Sequence, residues 1–180
     1  LSIYEELINR RYFTNKIIIP KLNSIKEIKN IGKIIFITDR YINITKYLVN
    51  LICLHFNIDV NMFIILNIEN NDNNTNIKKY VNNNDDNTNI IILFGFKYDN
   101  ISIDDNYSKM YINKINEIFK NSYNNYKILI INSIDILTKS KLNTKYFDSI
   151  LETNINQEYN NINNLIFLPT LIFFILKKNN

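Results

Sequence analysis

The chain has 180 residues, 46% of them hydrophobic, and carries a formal charge of +4 from 21 basic and 17 acidic side chains. That is room for one α/β domain with a real core, and the charge is too mild and too scattered to make a nucleic-acid surface the leading expectation. The single cysteine, Cys53, excludes an internal disulfide framework and fits a reducing compartment.

Asn and Ile dominate, Gly and Pro occur twice each and Trp is absent, a bias of the kind AT-rich coding sequence produces. It blunts propensity arguments, so hydrophobic pattern has to carry the reading. The start at Leu1 reads as a segment cut from a longer chain, with no charged, cleavable leader in view. The longest apolar run, Leu165–Leu176, is interrupted by Pro169 and falls short of the roughly 20 residues a membrane helix needs. The expected setting is intracellular and cytoplasmic, with the nucleus or the peroxisome surface as further options, and no membrane span.

Taken in order, Ile3–Tyr12 and Leu22–Ile31 are read as short helices, the second ended by Gly32. Lys33–Thr38 (KIIFIT) has the continuous apolar character of a parallel strand buried on both faces. A polar turn, Asp39–Asn43, leads to a helix over Ile44–Phe56, with Ile44, Leu48, Leu51, Ile52 and Phe56 at helical spacing. Asn61–Leu66 is the next strand. Residues 67–89 thin out into Asn and Asp around Ile77, Tyr80 and Val81, and are read as a flexible insertion with too little apolar content to offset its ordering entropy.

Ile90–Phe94 is a third strand, stopped by Gly95. Asp104 and Asp105 suit the first turn of a helix over 105–121, where carboxylates meet the positive end of the dipole. Lys127–Ile131 (KILII) reads as a central strand with a polar tip, Asn132–Asp135, at the end where open α/β sheets place their ligand crevice. A helix over Leu142–Glu152, an Asn-rich loop and a last strand, Leu165–Leu168, complete the pattern. The expected fold is an α/β layered domain with a mostly parallel five-stranded sheet, spanning 1–180 as one unit. No internal repeat of 20–50 residues is visible.

Two stretches resemble the nucleotide motifs of AAA+ ATPases, a branch of the P-loop NTPases. "TDRYINITKYLV" has the strand–turn–helix layout of GxxxxGK[ST], a glycine-rich turn that cradles phosphates on backbone N–H groups. Laid over it without gaps, Asp39 falls on the first Gly, Ile44 on the second, Thr45 on the Lys and Lys46 on the Ser/Thr. Later, "ILIINSIDIL" resembles the family's apolar strand ending in Asp-Glu. Asn132 stands where the metal-holding Asp would be and Ser133 where the water-activating Glu would be, with Asp135 following as in "DEIDxL". In the family the last strand ends in a polar sensor residue. Thr170 lies near that tip, and Ile172 matches the usual Asn.

The resemblance covers roughly 17–172 and implies a three-layer P-loop sandwich with a degenerate ATP and Mg²⁺ site. Tandem-domain remodellers of the NSF, Cdc48 and peroxisome-biogenesis type look slightly closer than clamp loaders, although "LTKSKLNTKYFDSILE" also resembles clamp-loader sequence. The family's lid and arginine fingers normally follow the last strand.

Read as residues alone, the same stretches look less catalytic. Ile44 and Tyr41 bring bulk where glycines allow close backbone approach, and Asp39 sets a negative charge against phosphate. Lys46 is one residue late for the phosphate lysine, about 100° round a helix. Asn132 lacks a carboxylate's charge for a metal, and Ser133 cannot act as the base that orients water. Asp135 reads as a helix or turn cap after the strand ahead of any metal role. The lone His55 allows no His-based triad or zinc cluster, and Cys53 reads as a small apolar residue. Asp85–Asp86 falls in the insertion, and the aromatics fall in core strands and helices instead of forming a stacking platform for single strands.

Three functions are expected from these observations. The first is a degenerate AAA+ module in a protein-remodelling ring, impaired in ATP binding and not hydrolysing by itself, with other AAA+ subunits or domains as partners and a protein substrate. The second is an inactive clamp-loader or origin-recognition subunit, and the third a non-catalytic α/β interaction domain.

Overall fold

A computed structural model describes residues 30–38, 42–68, 73–81, 86–94, 105–120, 125–131 and 144–152. The elements are β1 (Ile31–Thr38), α1 (Ile42–Phe56), a 3-10 turn (Val60–Met62), β2 (Phe63–Asn67), α2 (Asn73–Val81), β3 (Thr88–Leu93), α3 (Asp105–Phe119), β4 (Asn125–Ile131), a 3-10 turn (Thr144–Tyr146) and β5 (Ser149–Glu152). The five strands form one sheet in the order β2-β1-β3-β4-β5. Every pairing is parallel, so the α/β expectation with a five-stranded sheet holds. The order is that of a common doubly wound sheet, in which β1 is the strand from which the chain winds both ways.

Why these segments are strands follows from burial. Ile34–Ile37 of β1 and Ile90–Leu93 of β3 are buried without a break, as unbroken Ile runs require when both sheet faces are covered. On one face, Ile35, Ile37, Ile91, Leu93 and Leu129 join α2 and α3 through Ile77, Val81, Ile115, Ile118 and Phe119. The alternate residues point the other way. There Phe36 stacks with Phe63 at 6.3 Å and meets Phe94 edge-on at 6.0 Å. Helix α1 adds nothing to the first cluster; a right-handed β1–α1–β2 crossover places it over this second face.

Helix α1 begins two residues earlier than the spacing predicts. It buries Thr45, Leu48, Val49, Ile52 and Cys53, a stripe at i, i+3, i+4, i+7, i+8. Its end is a Schellman turn: Asn57 takes φ 54° and Ile58 N–H donates to the Cys53 carbonyl at 3.0 Å. In a chain with two glycines, Asn fills the left-handed position that Gly usually takes.

Two expectations are overturned. Asn73–Val81, assigned to a flexible insertion, is a helix whose Ile77 and Val81 are 0% and 1% exposed. Three apolar residues suffice, because i, i+3, i+4 spacing puts them on one face. Leu142–Glu152 is not a helix: Thr144–Tyr146 is a 3-10 turn and Ser149–Glu152 pairs with β4. Asp148 docks the segment, its N–H donating to the Lys127 carbonyl at 2.8 Å and its Oδ2 accepting the Lys127 N–H at 2.7 Å. The Tyr126 and Ser149 hydroxyls then hydrogen-bond at 2.7 Å, and strand pairing satisfies backbone groups that a short helix would have left open. The helix expected at 3–12, residues 22–29 of the helix expected at 22–31 and the strand expected at 165–168 lie outside the described residues; the expected helix end does not hold, because Asn30 is a bend at φ 54° and Ile31 and Gly32 already belong to β1.

Candidate functional site

In a doubly wound sheet the ligand crevice lies at the carboxyl ends of the strands, where connections leave on opposite faces. Here that is the end of β1 next to β3. Backbone hydrogen bonds fix the tips: Ile68 N–H donates to the Thr38 carbonyl at 3.3 Å, and Phe94 N–H to the Ile37 carbonyl at 3.1 Å. Thr38 closes β1 and Thr45 sits in the first turn of α1. Both are 0% exposed, and neither hydroxyl has a hydrogen-bond partner among the described residues. A buried hydroxyl left unpaired costs about 1–3 kcal/mol, so two of them at one strand–helix junction call for an explanation.

The residues singled out from the sequence divide between this junction and undescribed positions. Ile44 is half-buried, Thr45 fully buried and Lys46 exposed on the outer side of α1 with Tyr47 and Asn50. The lysine thus turns away from the sheet-facing side on which Thr45 lies, as a 100° step requires. Asp39, Asn132, Ser133, Asp135, Thr170 and Ile172 lie outside the described residues. The strand that leads to Asn132, β4, is separated from β1 by β3. At about 4.8 Å per strand the two tips stand roughly 10 Å apart, a span for a phosphate chain with its metal but not for one ion with ligands at about 2–2.6 Å. Among the described residues, no group of three or more His, Cys, Asp or Glu side chains gathers in one place.

Sequence reasoning missed Thr38. Its signal was present: one polar residue ending an otherwise apolar strand. Cys53 lies on the buried stripe of α1, and its thiol pKa is raised by burial and secondarily by Asp59. A thiol held protonated is a poor nucleophile, which fits the apolar role expected of it. No helix among the described residues is long and apolar enough to cross a membrane. No protein-family model, curated protein or solved structure matches this chain.

Proposed function

We propose that this chain is a degenerate ATPase-like module of AAA+ type. In this reading a P-loop-type layout keeps a ligand crevice at the β1–α1 junction, holds nucleotide phosphates weakly, and does not hydrolyse them by itself. It serves as a regulatory neighbour of active subunits in a protein-remodelling ring. The observation that carries the reading is the pair of buried hydroxyls of Thr38 and Thr45, without partners among the described residues, beside the start of a 15-residue helix. Phosphate oxygens there would take up both hydroxyls and the free N–H groups of the helix start. Impairment is supported by the outward Lys46 and by Asn132 and Ser133 standing where charge and base would be needed.

Thermal unfolding of the chain with ATP, with and without Mg²⁺, tests this. Ligand at ten times its Kd adds about 1.4 kcal/mol, or roughly 3–6 °C for a chain of this size. Thr45→Val should stabilise the free protein by about 1 kcal/mol, because it removes an unpaired hydroxyl, and should abolish the ATP-dependent shift. If millimolar ATP leaves the wild-type melting point unchanged, the nucleotide reading fails. A second reading, a plain interaction domain, draws on the apolar side chains exposed along α1 and just after it, Tyr47, Leu54 and Val60. It would survive that result.

A further inference from the structure

At the amino edge of the sheet, opposite the strand tips, a cleft of about 440 Å³ opens between the start of β1, the end of α2 and the start of β3. Its lining pairs two lysines, Lys33 and Lys79, with Tyr80, Asn87 and Asn89. Asn89 is the rigid floor. It is 7% exposed, and both ends of its carboxamide are committed: Oδ1 accepts the Lys33 N–H at 2.8 Å and Nδ2 donates to the Tyr80 carbonyl at 3.2 Å.

The cations are not committed in the same way. Lys33 Nζ spends one of its three protons on the Asn61 carbonyl at 2.7 Å, which fixes the ammonium without neutralising it. Lys78 pairs with Glu117 at 3.3 Å; Lys79, one residue on, has no ion pair among the described residues, and no carboxylate is among the described residues that line the cleft. The carbonyls of Tyr80 and Val81 at the end of α2 each accept a bond from an asparagine amide, Asn89 and Asn125. Two amines around a concavity focus positive potential, and Ile31 and Tyr80 also line it.

We propose that this cleft binds a small phosphate monoester, its dianionic head held between Lys33 and Lys79 and its compact body against Ile31 and Tyr80. The volume falls within the range of ordinary small-molecule sites. The site is separate from the β1–α1 crevice and does not depend on it.

Titration of the chain with phenyl phosphate, followed by backbone amide resonances, tests the proposal. Saturable shifts are expected at Gly32, Lys33, Lys79 and Asn87. Inorganic phosphate should bind the same residues more weakly, and benzyl alcohol should not. Lys79→Glu, an exposed helix substitution that leaves the fold intact, should weaken phenyl phosphate at least tenfold, and Lys33→Met should weaken it several-fold. Lys46→Glu should change nothing. Equal binding by Lys79→Glu, equal binding of benzyl alcohol, or no saturation at about 10 mM ligand overturns the proposal. Shifts confined to Thr38 and Thr45 overturn it too, while leaving the nucleotide reading of the opposite end standing.

Discussion

Replacing Gly32 by Ala should destabilise the protein through one neighbour, Asn89. A Cβ on Gly32 would lie 2.5 Å from Asn89 Oδ1, with Asn87 Cβ next at 3.2 Å. The pairing of β1 with β3 slips between Ile31 and Ile34, a bulge that leaves the Lys33 N–H to be satisfied by Asn89. Making room would swing the carboxamide away and break both of its hydrogen bonds. Orphaning the two backbone partners costs about 1–3 kcal/mol each. Lys33 is exposed and water recovers part of its share, and Ala for Gly in a strand returns about 0.5–1 kcal/mol. A net loss of about 2–3 kcal/mol remains, roughly 4–12 °C in melting temperature.

Asn89→Ala should cost a similar amount. The decisive measurement is the double variant, unfolded in urea beside the two single ones. Once Oδ1 is gone, the Gly32→Ala methyl meets only Asn87, so the double variant should match Asn89→Ala alone. That is a coupling of about 2 kcal/mol, far outside the 0.3–0.5 kcal/mol within which independent sites add. Additive losses would refute the steric account.

Ile77→Ala should cost about 2–4 kcal/mol in chemical denaturation, since it empties a fully buried site between α2 and the sheet; a loss under 0.5 kcal/mol would return 73–81 to the status of a loose insertion. The raised pKa of Cys53 makes its contribution to stability complete below the unfolded thiol's value and lost as pH climbs through the folded one. Unfolding free energy should therefore decline above about pH 8.5, and Cys53→Ala, measured at pH 7 and pH 10, should decline less. An identical fall in both proteins would show that the thiolate plays no part.

The sheet was largely legible and the edges were not. Strands β1, β3 and β4 announce themselves because burial on both faces demands an unbroken apolar run, and Ile supplies it even in a biased composition; β2, half-buried at the sheet edge, carries the same kind of run. Helix α2 was obscured because its mean hydropathy is low, although Ile77, Tyr80 and Val81 stood at helical spacing. β5 was misread because Tyr146, Phe147, Ile150 and Leu151 also satisfy a helical wheel; what decides is Asp148 bonding to β4, a tertiary contact that no local pattern records. At the site, the 100° step between Thr45 and Lys46 was legible in the sequence, but which of the two faces the sheet is decided by the buried stripe of α1. The structural asparagines were hidden by their own abundance: Asn89 and Asn125 cap α2 but look in the sequence like any of their neighbours.

The all-parallel order also bears on how the chain is made. No two of the described strands pair as a hairpin, so β1 leaves the ribosome as an apolar ribbon before either of the described strands it pairs with. Its first partner, Phe63 opposite Ile34, is 29 residues away, and Ile90, on its other side, is 56 away. At roughly 5–20 residues per second the IIFI segment waits about 1.5–6 s for β2 and about 3–11 s for β3. During that interval a segment that the folded domain buries completely stays exposed and adhesive, which makes the nascent chain a natural client for a holding chaperone.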